Sequence, residues 1–103
     1  MFNSFEPPPT FNRHSPLRIV RLDSFLRDFR SLPRAIQRRA EKALALLARN
    51  PDYPSLRTKK VQGAKDLWEA RVSISYRITF HRTGDRIILR RIGTHDILDK
   101  ESR

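Results

Sequence analysis

Three alternations of apolar and polar residues in close succession constrain this chain more than any other feature. Residues 67–74 put Trp68, Ala70, Val72 and Ile74 on one face and Glu69, Arg71 and Ser73 on the other. Residues 76–82 repeat the pattern, with Tyr76, Ile78 and Phe80 opposite Arg77, Thr79 and His81. A period of two marks a strand with one buried face and one polar face. Thr83-Gly84-Asp85 supplies a tight turn, and residues 86–92 return with Ile87, Ile88, Leu89 and Ile92. Strands joined so closely form a meander. In the third run Arg90 and Arg91 are adjacent and cannot both point the same way, so its inward face is ambiguous.

A sheet that is apolar on one face needs a cover. Upstream, Phe25, Leu26, Phe29 and Leu32 fall at helical spacing, which predicts a short helix over 24–31 with Asp23 or Ser24 as N-cap. Ile36, Ala40, Ala43, Leu44 and Leu47 form a second stripe. It predicts a helix over 34–49, with Pro33 at its start and Asn50-Pro51 as its stop. Almost nothing joins the two helices, so they read as an antiparallel hairpin. Residues 17–22 add a further strand candidate. The expected fold is α+β: one antiparallel sheet of about four strands with a two-helix hairpin packed on one face, spanning 17–103. Residues 1–16 contain Pro7-Pro8-Pro9 and little periodicity, and read as a proline-rich arm outside that body.

Charge narrows the partners. Twenty-two Lys and Arg against eleven Asp and Glu give a net charge of +11 on 103 residues. Such an excess favours a polyanion: RNA, DNA, an acidic protein or an anionic membrane. The absence of cysteine excludes disulfides and thiolate metal sites. No apolar run has the length of a membrane span. The cytoplasm is the expected compartment, and no metal or cofactor is expected.

The candidate chemistry lies on the polar sheet face. Glu69, Arg71 and Arg77 share it on neighbouring strands. His95, with Asp96 beside it, leaves the end of the next strand in Arg90-Arg91-Ile92-Gly93-Thr94-His95-Asp96. Arg57, Lys59 and Lys60 enter from the preceding loop. Arg90 and Arg91 add charge. These groups suit one phosphate. Cleavage of RNA by its own 2′-hydroxyl needs a base, an acid, cations for the phosphorane and an in-line geometry. Arginine suits the cationic part because its planar fork makes two hydrogen bonds. Periodicity alone is equally consistent with a plain nucleic-acid-binding surface.

Several of these pieces together resemble the RelE/ParE superfamily of bacterial toxin components, and more closely its RelE-type messenger-RNA endonucleases. They are Leu32-Pro33, Asn50-Pro51, Ser55-Leu56-Arg57 with Lys59-Lys60-Val61-Gln62-Gly63, the Trp68-to-Val72 strand, Tyr76-Arg77-Ile78 and Ile92-Gly93-Thr94-His95-Asp96. The resemblance covers about residues 17–98. It implies a toxin that cuts messenger RNA, usually on the ribosome, and is silenced by a cognate antitoxin. By position, Arg77 matches the arginine that such toxins place on the scissile phosphate. His95 matches the general acid of the YafQ-like branch. Lys59 and Arg71 fall where that branch has catalytic histidines, and Glu69 lies near a RelE catalytic lysine. Two departures stand out: Ile97-Leu98-Asp99 follows His95 where an aromatic is usual, and Ser75 replaces an aspartate. The alternatives are a ParE-like inhibitor of gyrase without catalysis and a non-toxic basic nucleic-acid-binding module.

Overall fold

A computed structural model describes residues 16–96 and Leu98. The arm expected at 1–16 lies outside the described residues except for Pro16. The elements run β1 (Arg18–Arg21), α1 (Asp23–Arg30), α2 (Arg34–Arg49), a single 3₁₀ turn (Pro54–Leu56), β2 (Lys59–Lys60), β3 (Trp68–Arg71), β4 (Tyr76–Thr83) and β5 (Arg86–Thr94).

The expected α+β architecture is present, with a richer sheet. Five strands lie in the order β1-β5-β4-β3-β2. The meander β3-β4-β5 is antiparallel. The two corrections are at the edges. Lys59 and Lys60 pair antiparallel with Glu69 and Trp68, so two residues read as loop form a strand. At the other edge β1 runs parallel to β5, with Arg18 opposite Arg86 and Arg21 opposite Leu89, so the sheet is mixed. Parallel pairing requires a long connection, and here the helices, β2, β3 and β4 all intervene between the two strands.

The helices follow the apolar stripes. Phe25 of α1 and Ala40, Ala43, Leu44 and Leu47 of α2 are buried in one core with Ala70, Ile78, Phe80, Ile87, Leu89 and Ile92 of the sheet. Leu32 and Ile36 pack against it, partly buried. Each buried Leu, Ile or Phe among them contributes about 1.5–3 kcal/mol by leaving water. The capping expectation fails: Leu22 occupies the N-cap of α1 with no side-chain cap bond. Ser24 instead donates its hydroxyl to the Arg90 carbonyl at 2.6 Å.

That bond belongs to a device that closes the sheet edge. Beyond β1, the outer edge of β5 would present unpaired backbone groups. Asp28, one turn after Ser24, accepts the Ile92 N–H at 3.0 Å. The same carboxylate takes Arg91 through two bonds, Nε at 2.7 Å and Nη2 at 3.1 Å. Asp28→Ala should therefore lower stability by about 1–3 kcal/mol, the range for losing hydrogen bonds to a charged group. The midpoint of urea unfolding measures it, and an unchanged midpoint would show that these bonds add nothing to stability.

The ambiguous face of β5 is settled by a bulge. Ile78 pairs with Ile92 and Thr79 with Arg91, but Phe80 pairs with Leu89, which leaves Arg90 as the extra residue. A bulge resets the alternation. Ile87, Leu89 and Ile92 thereby all face the core. The hairpin before it closes with two residues, Gly84-Asp85, and Gly84 has φ +56°. Positive φ is what such a turn demands of its first residue.

Candidate anion-binding cavity

The polar face of β3 and β4 is built by register. Glu69 stands opposite Thr79, and Arg71 directly opposite Arg77. Like charges directly opposed on neighbouring strands cost a sheet stability.

Arg77 is held from below. The chain turns over residues 72–75, with the N–H groups of Val72 and Ser73 donating to the Tyr76 carbonyl at 3.0 and 3.3 Å. Arg77 Nη1 donates to the carbonyls of Ser73, Ile74 and Tyr76 at 2.8, 3.0 and 3.1 Å. The turn is thus gripped by one end of the guanidinium, and Nε faces Glu69 Oε2 at 4.0 Å. The same oxygen is 3.8 Å from Lys59 Nζ. Both Glu69 and Arg77 are largely buried, at 12% and 14% side-chain exposure, whereas Lys59 is at 69%. The Glu69 carboxylate is thus held between two cations. The tight turn also corrects the reading of Ile74: it sits at the tip and is 82% exposed, not on the buried face.

Six side chains line one cavity of about 280 Å³: Arg57, Lys59, Glu69, Arg71, Arg77 and His95. Arg57 reaches it from the residue after the 3₁₀ turn, where it adopts a left-handed conformation at φ 47°. His95 follows β5, its backbone N–H donating to the Ser75 carbonyl at 3.1 Å, which ties it to the turn that Arg77 grips. Four cations against one carboxylate in one hollow focus a positive potential on whatever enters.

Four of the residues singled out from sequence lie elsewhere. Lys60 alternates to the other face, with its ammonium 5.7 Å from the centre of the Trp68 ring. Arg82 stacks on the same ring at 4.9 Å, so Trp68 combines partial core packing with cation–π contacts. Arg91 is engaged with Asp28. Arg90 is the bulged residue. Asp96 is exposed and does not line the cavity. One further reading changes: Thr79, expected on the polar face, is buried at 3%. His81 Nδ1 donates to the Asp66 carbonyl at 2.7 Å. Arg39 and Lys42, three residues apart on α2, were not among the sequence candidates, yet both line a neighbouring hollow.

The chain is a basic α+β domain with one carboxylate and one imidazole set among clustered cations. The model of the ParE-like toxin domain matches residues 34–97. No curated protein matches the chain by sequence. Among solved structures, YafQ from E. coli strain BL21(DE3) superposes with a TM-score of 0.68 at 18% identity, covering 80% of this chain and 97% of that one. The RelB–RelE antitoxin–toxin complex of Methanococcus jannaschii gives 0.65 at 22% identity, covering 82% and 99%. The intact E. coli RelBE toxin–antitoxin complex gives 0.62 at 16%, covering 76% and 95%. The chain belongs to the ParE-like toxin domain family, within the RelE/ParE toxin superfamily. Among the described residues, no helix is long and apolar enough to cross a membrane.

Proposed function

We propose that this chain is the toxin of a toxin–antitoxin pair and that it cleaves messenger RNA, engaged on the ribosome. The observation that carries the reading is the single cavity in which Arg57, Lys59, Glu69, Arg71, Arg77 and His95 meet. In this reading the scissile phosphate sits between Arg71 and Arg77. Glu69 takes the 2′-proton as the hydroxyl oxygen attacks phosphorus. His95 gives a proton to the departing 5′-oxygen. The products are a 2′,3′-cyclic phosphate and a 5′-hydroxyl, and the chain's own cations carry the phosphorane charge. An acidic antitoxin is the natural silencing partner for a surface of net charge +11.

Induced expression in bacteria, followed by primer extension on a reporter messenger RNA, tests this. Wild type should arrest growth and produce discrete new 5′ ends. His95→Ala and Glu69→Gln should erase both, since loss of an acid or base group costs about 10²–10⁴-fold. The family match supports a second reading, a ParE-like inhibitor of gyrase. Growth arrest without new ends, together with loss of DNA supercoiling, would move the function there. A harmless wild type defeats both.

A further inference from the structure

A second hollow adjoins the first. It measures about 460 Å³ and lies between α2 and the turn at residues 72–75. Arg39 and Lys42, three residues apart on α2, stand over it, and Leu46, Val72 and Ile74 supply apolar wall. It contains no acidic residue. Arg71 lines both hollows. Its Nε is buried and has no hydrogen-bond partner among the described residues. A buried guanidinium N–H without an acceptor is costly and calls for an explanation.

We propose that this second hollow is a nucleotide subsite. It takes the nucleotide next to the scissile phosphate, with its base against Leu46 and Ile74, its phosphate between Arg39 and Lys42, and Arg71 bonded to the strand as it passes between the hollows. The inference rests on the cleavage reading for what fills the first hollow. Three observations select a nucleotide. The volume lies within the range of about 300–1,000 Å³ typical of small-ligand sites. A docked helix, about 10–12 Å across, would fit at most about one turn into it. An anionic strand also supplies acceptors to both hollows through the shared Arg71, and its bases have flat apolar faces for the exposed Ile74.

The test is binding of a 2′-O-methylated RNA hexanucleotide, which cannot be cleaved, followed by fluorescence anisotropy over a range of salt. The double variant Arg39→Ala/Lys42→Ala changes only exposed helix positions. It should bind roughly tenfold more weakly, and its slope of log affinity against log salt should flatten by about 0.7 for each phosphate that is no longer neutralised. Ile74→Ser should weaken binding by roughly fivefold or more with the slope unchanged, because it removes apolar surface under a base and no charge. Wild-type affinity and slope in the double variant overturn the subsite, whatever primer extension shows. So does a wild type that does not bind the hexanucleotide, or a double variant that loses affinity only for an acidic peptide. Conversely, intact hexanucleotide binding with the expected losses, but no cleavage by wild type, keeps the subsite and removes the nuclease.

Discussion

Arg77→Ala is expected to lower RNA cleavage by about 10²–10³-fold, the loss typical of removing one preorganised donor from a charged transition state. It should also lower stability, by about 1–3 kcal/mol, because Nη1 no longer joins three carbonyls of the turn. Arg77→Lys separates the two effects. An ammonium restores the positive charge, but it is a single point and cannot grip the turn and face the cavity together. Cleavage should therefore stay well below wild type while RNA affinity largely recovers. Single-turnover cleavage and thermal unfolding of the three proteins supply the measurements. A lysine variant with wild-type rate and wild-type unfolding would show that the fork of Arg77 has no special role.

Phe80→Ala carries the largest expected cost in stability, about 3–5 kcal/mol. Phe80 is fully buried and stands across from Trp68 on one side and Leu89 on the other. It also occupies the step at which β4 changes register against β5. Truncation removes the ring that fills this step and leaves a cavity. A domain of this size has only about 5–15 kcal/mol in total, so the melting temperature should fall by at least about 10 °C. A shift of only a degree or two would mean that the neighbouring side chains collapse into the space.

Much of the fold was legible because its signals are local. The stripe from Ile36 to Leu47 places α2 at Arg34–Arg49, and alternation places β3 and β4 with Glu69, Arg71 and Arg77 on one face. That face, with the Gly93-Thr94-His95 ending and the basic loop, put the six cavity residues among the candidates, but it did not separate them from Lys60, Arg90, Arg91 and Asp96. What was not legible depends on the approach of residues distant in sequence. The pairing of β1 with β5 has no signature in either segment. Lys60 and Lys59 have identical chemistry, and only their register against Trp68 and Glu69 sends them to opposite faces. Arg91 resembles any surface arginine until α1 brings Asp28 to it. The bulge left a trace in the broken spacing of Ile87, Leu89 and Ile92, but nothing in the sequence says which residue is the extra one.

The parallel pairing of the first strand with the last has a consequence for synthesis. Translation delivers β1 early, yet its neighbour comes only with Arg86–Leu89, and His95 follows later still. Pairings so far apart in sequence form late and slowly. A nascent chain that stops short of β5 has an unpaired first strand and no imidazole at the cavity. The six-residue cavity is thus complete only after the last strand has been made.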